Sequence, residues 1–503
     1  MLTSAAHREL EQAHAKVGLM RCAGRAARAW LARRAQSNST FIILAGPGNN
    51  GGDGLALACE LAGRGEQVQA VLLGNHDRLP ADARAQLERW RNLGREICNR
   101  LPACVDSPGS TWIIDALLGL GLRRPLSGVH AEAVHWIDRQ RKAGARCLAL
   151  DVPSGIDADT GARVGDLAVT ADATLSFIAA KPGLLTGPAL DHVGEVWIHD
   201  LGLGAVPPDP VLAAFDAQAA HALLPVRART SHKGTYGELQ VLGGADGMVG
   251  AALLAARAAA RAGAGKVRVG FLAPNAPSVD LLMPELMMTK AAALPDHRAR
   301  AVCVGCGLGV SGTAVERLAS ALATERPIII DADALNLIAE SADLATQLQR
   351  RRAPSVLTPH PLEAARLLGS DAASINGDRL RAARDLARGY GVICVLKGAG
   401  SIVAAPDGRA SINLTGNPLL ATAGTGDVLA GIIGALLAQG LDAWDAARIG
   451  TAWHGACADR LAAAGNTCMT ASDLLSVLSD GPMCAEARGP WKSVRESVQS
   501  KGD

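Results

Sequence analysis

Short apolar runs alternate with segments of helical periodicity along the first half of the chain. Each run is apolar at successive positions and is bounded by Gly or polar residues, as at 41–45, which reads Phe-Ile-Ile-Leu-Ala. Strands of this kind are buried on both faces, which is typical of a parallel sheet between two layers of helices. The pattern predicts strands over 41–45, 68–73, 112–115, 147–152, 173–178 and 194–199, and helices over 4–34, 54–63, 81–94 and 129–142.

The second half repeats this alternation after a break. Residues 205–210 read Ala-Val-Pro-Pro-Asp-Pro and are predicted to be a linker, because proline continues neither a helix nor a central strand. The sequence therefore predicts an α/β protein of two three-layer domains, at 1–215 and 225–485, and a disordered polar tail over 486–503. In the second domain, strands are predicted over 238–242, 267–271, 301–304, 327–331, 356–358 and 392–397, and helices over 248–262 and 425–438.

The composition narrows the class of protein further. Of 503 residues, 49% are hydrophobic, 19% are charged and only 3% are aromatic, while glycine occurs 56 times. Disorder of the whole chain is excluded, and the cores must consist of small aliphatic side chains around close backbone contacts. Fifty Lys and Arg against 48 Asp and Glu leave a net charge of +2, which is too little to attract nucleic acid or a membrane surface.

Cysteine usage and the lack of long apolar segments indicate a cytoplasmic protein. Eleven cysteines is an odd number for a disulfide framework, so reduced thiols are expected. Cys303 and Cys306 form a C-x-x-C pair, which we interpret as a strand end and the following turn rather than a redox motif. The N-terminal segment has no long apolar run, and the apolar stretch over 417–440 contains Asp427 and several glycines, so neither a signal peptide nor a membrane span is predicted.

A glycine-rich turn follows the first predicted strand. Residues 46–54 read Gly-Pro-Gly-Asn-Asn-Gly-Gly-Asp-Gly and satisfy G-x-G-x-x-G between a strand and a helix, where free backbone N–H groups bind phosphates. A simple dinucleotide site also needs an acid at the end of the second strand, but the sequence there is Leu73-Gly74-Asn75. The Asn and Asp side chains suit a hard cation such as potassium, and a tight turn with left-handed Asn and Gly residues is the structural alternative.

Two further strand ends carry polar residues. Asp115 ends one predicted strand, and Asp151 and Ser154 lie at the end of another. The carboxyl ends of parallel strands share one edge of the sheet, where ligands bind. We therefore expect these residues to converge with Asn50, although a single strand-end Asp is often only a helix cap.

These three segments resemble the N-terminal domain of the YjeF-type proteins, the NAD(P)HX epimerases. The resemblance covers about 1–215 and rests on the nine-residue turn, on Asp-Ala-Leu-Leu-Gly-Leu-Gly from position 115 and on Leu-Asp-Val-Pro-Ser-Gly-Ile-Asp-Ala-Asp-Thr-Gly from position 150. It implies a Rossmann-like fold and interconversion of the R and S hydrates of NADH and NADPH (NADHX and NADPHX) beside a bound potassium ion.

The same resemblance implies roles for individual residues. Asn50, Asp115 and Ser154 would hold K⁺, and Asp151 would lie beside the hydrated nicotinamide. Because inversion at a carbinolamine-type carbon needs a proton acceptor and donor, we hypothesise that Asp151 is the catalytic group. The residues implied to contact the dinucleotide are Asn49, Asn50, Gly51, Gly52, Asp53, Gly119, Leu120, Gly121, Leu122, Arg123, Arg124 and Pro125, together with Asp151.

A second glycine-rich turn lies at 423–431, which reads Ala-Gly-Thr-Gly-Asp-Val-Leu-Ala-Gly. A turn of this kind before a helix offers N–H donors to a transferring phosphoryl group, and Asp427 is placed to accept a hydroxyl proton. The structural alternative is that Asp427 only complements the helix dipole. Two more strand ends add candidates, because Lys397 begins Lys-Gly-Ala-Gly-Ser and His360 lies between two prolines, three residues before Glu363.

The second half resembles the ribokinase-like fold and, within it, the ADP-dependent NAD(P)HX dehydratases, over about 225–480. The resemblance rests on segments that begin at 232 (His-Lys-Gly-Thr-Tyr-Gly-Glu), 331 (Asp-Ala-Asp-Ala-Leu-Asn-Leu), 357 (Leu-Thr-Pro-His-Pro-Leu-Glu) and 424 (Gly-Thr-Gly-Asp). The resemblance implies that ADP, expected with Mg²⁺, phosphorylates the C6 hydroxyl of the S hydrate, leaving AMP. Loss of phosphate then restores the dihydronicotinamide.

By motif, Asp427 would be the base of this dehydratase. The hydrate would contact Ala251, Gly307, His360 and Asp427, and the nucleotide would contact Lys397, Gly398, Ala399, Gly400, Ser401 and Gly426. Two positions depart from the family pattern, with Cys306 in place of Pro and Leu362 in place of Gly. The second departure puts the geometry of His360 in doubt, since Leu demands an ordinary backbone conformation.

Two other functions are compatible with the motifs alone. The second half is also typical of a ribokinase-like kinase for another small molecule, and the first half of a nucleotide-binding interaction domain. Release of a stable phosphorylated product would favour the kinase. The expected partners are small molecules, NADHX, NADPHX and ADP, with no nucleic acid or membrane, and the resemblance implies an assembly of several copies.

Overall fold

The structure is a computed structural model that describes residues 1–14, 17–105, 107–204, 211–482 and 491–493. The chain divides into two compact units, one formed by Met1–Asp209 with Pro490–Asp503 and the other by Pro210–Gly489. The predicted proline-rich linker over 205–210 lies outside the described residues. Among the described residues, every helix is too short or too polar to span a lipid bilayer.

The first unit alternates strands and helices, as the sequence predicts. Its elements are α1 (Ser4–Ala13), α2 (Leu19–Ala32), β1 (Thr40–Ala45), α3 (Asn49–Ala62), β2 (Gln67–Leu72), α4 (Ala81–Asn92), β3 (Thr111–Ala116), α5 (Val129–Lys142), β4 (Arg146–Leu150), β5 (Ala173–Phe177) and β6 (Glu195–His199). All pairs in its sheet are parallel, and these strands lie in the order β6-β5-β4-β3-β1-β2. The carboxyl ends of β1, β3 and β4 are therefore neighbours.

Both faces of this sheet are covered. Ile43 of β1 packs in one core with residues of α2, α3 and α4, whereas its neighbours Ile42 and Leu44 pack in a second core with residues of α5. This alternation explains why the strands are apolar at every position, because each strand serves a core on both sides. The unit is thus a three-layer αβα sandwich, as predicted.

Two helix predictions in this unit are wrong in their limits. The single helix expected over 4–34 is two helices, because Gly18 adopts a left-handed conformation (φ 71°) immediately before α2. The helix expected over 54–63 begins earlier, at Asn49, after Gly48 in an extended conformation. The residues at 49–53 are therefore the first turns of α3 and not a loop that precedes it.

The second unit is a larger sandwich. Its sheet has the order β10-β9-β8-β11-β12-β13-β14-β15-β16-β7, and it is parallel except at the two pairs that β15 makes. Its strands are β7 (Leu212–Phe215), β8 (Glu238–Gly243), β9 (Lys266–Phe271), β10 (Met287–Lys290), β11 (Ala301–Val304), β12 (Ile328–Ile330), β13 (Ser355–Leu357), β14 (Ile393–Leu396), β15 (Ile402–Ala404) and β16 (Ala410–Asn413).

Helices form two layers in this unit. Residues of α7, α14, α15 and α16 share one core with Cys303 and Ile329, whereas the adjacent strand residues Val302 and Ile330 are fully buried outside that core. A second set of mutually contacting helices, α8 to α13, includes those that pack beside β11 and β14. The helices are α6 (Ala217–Leu223), α7 (Val249–Arg261), α8 (Gly312–Leu322), α9 (Asp333–Glu340), α10 (Ala342–Gln349), α11 (Pro361–Leu368), α12 (Ala372–Gly377), α13 (Arg379–Tyr390), α14 (Thr425–Ala438), α15 (Ala443–Ala463) and α16 (Ala471–Leu478).

The end of the first predicted domain, at residue 215, falls inside the second unit. Strand β7 pairs in parallel with β16, with Leu212 opposite Ala410 and Phe215 opposite Asn413. This pairing was not predicted, because β7 follows the prolines directly and its partner strand is distant in the chain. Strands β10, β15 and β16 were not predicted either.

The tail predicted to be disordered over 486–503 lies largely outside the described residues. Within it, Trp491–Ser493 form a last strand, β17, which pairs in parallel with β6 at the edge of the first sheet.

Candidate active sites

The turn between β1 and α3 is shaped by close backbone contacts. A Cβ atom on Gly46 would lie 1.7 Å from the carbonyl oxygen of Leu117, and one on Gly51 would lie 1.9 Å from the carbonyl oxygen of Gly46. None of the residues 46–54 has a positive φ. The proposed alternative of a turn with left-handed Asn and Gly residues is therefore wrong, because these glycines serve close approach between two turns.

The three residues predicted to bind potassium lie together behind this turn. The Asp115 carboxylate is fully buried and accepts hydrogen bonds from the Ser154 backbone N–H (2.8 Å) and hydroxyl (2.7 Å). The Asn50 Nδ2 donates to the carbonyl oxygen of Leu118 at 3.1 Å, and the Leu118 N–H donates to Ser154 Oγ at 2.9 Å. Burial raises the pKa of Asp115 to about 6, against the hydrogen bonds from Ser154 and Leu117.

This cluster fits a hard monovalent cation. Asn50 Oδ1 is buried and has no hydrogen-bond partner among the described residues. The hydrogen bonds that link Asn50, Leu118, Ser154 and Asp115 bring amide, carbonyl, hydroxyl and carboxylate oxygens into one cluster. Such oxygens are the ligands that hard cations prefer. No group of three or more His, Cys, Asp or Glu that suits a metal occurs in the described part of the chain.

Asp151 forms a buried ion pair that the sequence analysis did not foresee. Its Oδ1 accepts a hydrogen bond from Lys181 Nζ, and also from Ser176 Oγ at 3.3 Å. Lys181 is fully buried and donates to the carbonyl oxygen of Phe177 at 2.8 Å. Burial acts to raise the pKa of Asp151, but Lys181 and His7 outweigh it, and the net pKa is lowered. Asp151 is thus held as a carboxylate, with a strained backbone (φ 65°).

Asp151 lines two cavities of the first unit, of about 490 and 350 Å³. Asp53 also lines both, and burial and then Asp151 raise its pKa well above the usual range. Among the predicted contact residues, the larger cavity is lined by Asn49, Asn50, Asp53, Gly119, Leu120, Gly121, Leu122 and Asp151. The other predicted contacts do not line these cavities, because Gly51 and Gly52 are buried in α3, while Arg123, Arg124 and Pro125 are exposed beyond it.

Three polar residues of this site escaped the sequence analysis. His7, Glu11 and Lys181 face the Asp151 region from α1 and from the segment after β5. Lys181 lies four residues after the end of β5, and a lysine close to a strand end is a signal that could have been used. Helix α1 carries no motif, so His7 and Glu11 had no signal at the level of sequence.

The second site is built around the start of α14. Gly424 has a left-handed conformation (φ 86°), and Asp427 lies in the first turn of the helix. Burial raises the pKa of Asp427 to about 7, and Asp331 adds to the increase, whereas a hydrogen bond from Cys306 and the charge of Lys397 oppose it. Asp427 is therefore poised to exchange a proton near neutral pH.

Lys397 lies near Asp427 and close to two further carboxyl groups, those of Asp331 and Glu363. Its Nζ lies 2.8 Å from Asp331 Oδ1 and 3.8 Å from Glu363 Oε2. Burial raises the pKa of Glu363 to about 7. A Cβ on the predicted nucleotide residue Gly426 would lie 3.4 Å from Lys397 Nζ, so the lysine and the turn before α14 are adjacent.

The segment after Lys397 is held by a buried arginine. Arg379 donates to the carbonyl oxygens of Leu396 (3.4 Å) and Lys397 (3.1 Å). Gly398 has φ 134°, and a Cβ there would lie 2.9 Å from the Arg379 guanidinium. The backbone that carries Ala399, Gly400 and Ser401, the remaining predicted nucleotide residues, is thereby fixed at its start.

His360 is the N-cap of α11. Its Nδ1 accepts hydrogen bonds from the N–H groups of Leu362 (3.1 Å) and Glu363 (3.2 Å), while Glu363 Oε2 accepts from the His360 N–H at 2.7 Å. Burial and Lys397 lower the pKa of His360, so the ring is neutral at neutral pH. Leu362 is 49% exposed and has no positive φ. The substitution of Leu for Gly therefore leaves the His360 geometry undisturbed.

The last two predicted contacts lie side by side. Gly307 has φ 60°, and a Cβ there would lie 2.6 Å from the carbonyl oxygen of Met248 and 3.1 Å from Ala251 Cβ. Cys306, the other departure from the family pattern, is fully buried, and its thiol donates a hydrogen bond to the Asp427 carboxyl group. A cavity of about 730 Å³ beside α8 and α10 contains none of the predicted residues.

Comparison with known proteins gives two family matches that divide the chain as the structure does. Residues 16–183 match the YjeF-related protein N-terminus, and residues 239–480 match the NAD(P)H-hydrate dehydratase family. The chain is 41% identical to the bifunctional NAD(P)H-hydrate repair enzyme Nnr of Escherichia coli K12 over 87% of this chain and 84% of that one. It is 40% identical to the enzyme of the same name from Coxiella burnetii, over 91% and 94% of the two chains.

Among solved structures, the chain is similar to the ADP/ATP-dependent NAD(P)H-hydrate dehydratase from Bacillus subtilis, co-crystallized with ATP and Mg²⁺. The match has 31% identity and a TM-score of 0.47, and it covers 53% of this chain and 97% of that one.

Proposed function

Because the chain belongs to the family of bifunctional NAD(P)H-hydrate repair enzymes, with an epimerase and a dehydratase domain, we propose that its two sites act in succession on one damaged cofactor. The observation that carries this proposal is the presence of one activated carboxyl group in each unit. Asp151 is held ionised by Lys181, and Asp427 has a pKa near 7 because of its burial. Two different proton-transfer tasks are thereby assigned to two separate sites.

In the first unit, Asp151 is the proton acceptor of epimerisation. A carboxylate that remains ionised at neutral pH serves as a base, and Lys181 fixes its position. The turn at the start of α3 and the segment Gly119, Leu120, Gly121 and Leu122 line the same cavity, which suits them to bind the dinucleotide. The free N–H groups at the start of α3 favour its phosphates.

Potassium belongs to the same proposal. Asn50, Asp115 and Ser154 would hold the ion, with the unpartnered Asn50 Oδ1 as its most evident ligand. When bound, K⁺ would supply a positive charge beside the phosphate-binding turn. The raised pKa of Asp115 also favours this assignment, since a cation offsets the cost of a buried carboxylate.

In the second unit, Asp427 accepts the proton of the C6 hydroxyl group of the S hydrate. The hydroxyl oxygen then attacks the terminal phosphorus of ADP, and AMP departs with the electrons of the broken P–O bond. Phosphate leaves C6 in turn, and loss of a proton from the adjacent ring carbon restores the dihydronicotinamide. Phosphate is a far better leaving group than hydroxide, which explains why a kinase-like fold performs a dehydration.

The residues around Asp427 suit these steps. The turn before α14 offers N–H groups to the transferred phosphoryl group, and Lys397 lies beside Gly426 with a positive charge that Asp331 and Glu363 stabilise. The nucleotide would contact Gly398, Ala399, Gly400 and Ser401. The hydrate would contact Ala251, Gly307 and His360. Mg²⁺ would enter with ADP, where it neutralises the phosphates. A cytoplasmic location and an assembly of several copies complete the proposal.

The nucleotide assignment is tested by supplying S-NADHX with ADP and, separately, with ATP. We expect faster dehydration with ADP, and one AMP released for each NADH formed. A preference for ATP, with ADP as product, would overturn the choice of nucleotide. A stable phosphorylated product that never yields NADH would overturn the dehydratase role itself.

A further inference from the structure

Helix α1 contributes Glu11 to the epimerase site. The family match begins at residue 16, after this helix. Glu11 nevertheless lines both cavities that Asp151 lines, and so do Arg8, Asn49 and Asp53. A carboxyl group that the motifs do not cover thus faces the space where the substrate binds.

The hydrogen bonds of the neighbouring His7 bear on the protonation of Glu11. His7 is 1% exposed, and its Nε2 lies 3.1 Å from the carbonyl oxygen of Phe177, which can only accept a hydrogen bond. Nε2 therefore carries the ring proton. Burial and then Lys181 lower the pKa of His7 to about 4, so the ring is neutral at neutral pH, and its Nδ1 is a bare acceptor.

That acceptor faces Glu11. His7 Nδ1 is buried and has no hydrogen-bond partner among the described residues, and Glu11 Oε1 is 3.7 Å away, one helical turn along α1. Two acceptors in this position repel, whereas a protonated Glu11 donates to Nδ1 after a small side-chain rotation. Burial and Asp151 also raise the pKa of Glu11. With 38% of its side chain exposed, Glu11 recovers a proton from solvent after losing it.

Charged groups from several elements set the protonation of Glu11. Asp151 and Asp53 disfavour its ionised form, whereas Lys181 and Arg8 favour it. The groups that face it or line its cavities are His7 and Arg8 on α1, Asp53 on α3, Arg78 and Asp82 near the start of α4, and Asp151 and Lys181 after β4 and β5.

We propose that Glu11 is the proton donor of the epimerase, working with Asp151 as the acceptor. The assignment rests on the proposed role of Asp151. Glu11 protonates the C6 hydroxyl of the hydrate, and the C6–O bond breaks with its electron pair going to the departing water. The lone pair of ring nitrogen N1 forms the N1=C6 bond of an iminium ion.

Water then adds to the opposite face of C6. The N1=C6 electron pair returns to N1, and the proton that the added water loses passes to Asp151. The reaction inverts C6 and moves one proton from Glu11 to Asp151, and exchange with solvent returns both groups to their starting states. No oxidant or further reactant is needed.

The test follows conversion of R-NADHX to S-NADHX by the full chain without nucleotide, in Glu11→Gln, Glu11→Asp and Asp151→Asn variants. Glu9→Gln is the matched control, because Glu9 is exposed on the same helix and lines neither cavity. For Glu11→Gln we expect kcat to fall about 100-fold or more with KM nearly unchanged. In alkaline buffer the wild-type rate should fall, because Glu11 loses its proton. Glu11→Gln should not show this alkaline decrease in rate, whereas Glu11→Asp should still show it.

The outcomes separate this inference from the proposed function. Full kcat and an unchanged pH profile in Glu11→Gln, with Asp151→Asn inactive, would overturn the role of Glu11 and leave that of Asp151 standing. Full activity of Asp151→Asn would overturn both. A ¹⁵N spectrum of His7 gives a readout besides activity. His7 Nδ1 should lose its hydrogen bond in Glu11→Met, which has no donor, and keep one in Glu11→Gln, whose amide N–H can donate. An Nδ1 resonance that does not move in Glu11→Met would contradict the proposal.

Discussion

Lys181 and Asp151 form a buried ion pair whose lysine also donates to Ser176 Oγ and to the carbonyl oxygen of Phe177. Lys181 is 0% exposed, so these three groups take the place of solvent around its ammonium group. It therefore does two things, because it keeps Asp151 ionised and it fixes the direction of the carboxylate.

Replacing Lys181 with Met should damage both stability and epimerisation. An unpaired buried carboxylate costs about 3–5 kcal/mol, or becomes protonated instead. The lowered pKa of Asp151 stabilises the wild type above the pKa of the unfolded chain, and this contribution is lost as the pH falls through the folded pKa. Lys181→Met should lack it, and its epimerase rate should recover in mildly alkaline buffer. Denaturant unfolding across pH checks this, with exposed Lys142→Met as the control.

Asp427→Asn should abolish dehydration and spare epimerisation. Removal of a general base slows a reaction by about 10²–10⁴-fold. Assays with pure S-NADHX and ADP should show this loss, while conversion of the R to the S epimer continues at the wild-type rate. Asp151→Asn should give the reverse pattern, and loss of both activities in either variant would contradict the separation of the sites.

The dehydratase rate should rise with pH through about 7. Asp427 has a raised pKa of about 7, so its proton-accepting form is the minor one in acidic buffer and the major one above neutrality. Because the charge of Lys397 opposes the rise in the pKa of Asp427, Lys397→Met should raise that pKa further and shift the increase in rate to higher pH. A profile of kcat/KM for S-NADHX checks both points, and a rate that is flat between mildly acidic and mildly alkaline pH would argue against Asp427 as base.

Gly51→Ala should destabilise the first unit where Gly48→Ala does not. The new Cβ at 51 would lie 1.9 Å from the carbonyl oxygen of Gly46, while one at 48 meets nothing within 4 Å. Overpacking of this kind costs about 3 kcal/mol. Thermal unfolding of the two variants measures the difference. Equal unfolding midpoints would show that the turn accommodates the added methyl group without loss of stability.

Leu362→Gly, which restores the family residue, should leave dehydration within about twofold of the wild type. Leu362 is half exposed in the first turn of α11, and His360 caps that helix through backbone N–H groups that any residue supplies. Glycine in a helix costs about 1 kcal/mol, so a small loss of stability is expected. A large gain in activity would show that Leu362 narrows the site.

The fold followed closely from the sequence where long patterns determine it. Continuous apolar strands such as β1 and β3 were predicted because each must serve two cores, and the two αβα units followed from their alternation with helices. The strand β7 and the break at Gly18 were not predictable. Strand β7 depends on a partner strand distant in the chain, since Leu212 pairs with Ala410, and the break depends on a single backbone conformation.

The candidate sites divide in the same way. Asn50, Asp115 and Ser154 could be placed together from strand ends alone, because parallel topology brings such ends to one edge. Glu11 and Lys181 reach the Asp151 region through tertiary contacts, and burial raises the pKa of Glu11, which no local pattern records. Sequence reasoning therefore found the glycine-rich turns and missed the charged residues beside Asp151.

The most direct test of the central claim supplies the complete chain with a mixture of R- and S-NADHX and excess ADP, and follows the absorbance of NADH to its end point. Two active sites working in succession predict complete conversion of both epimers to NADH. The contradicting result is that NADH formation slows once the S epimer is exhausted, and that the R epimer is then consumed no faster than it epimerises spontaneously without the enzyme.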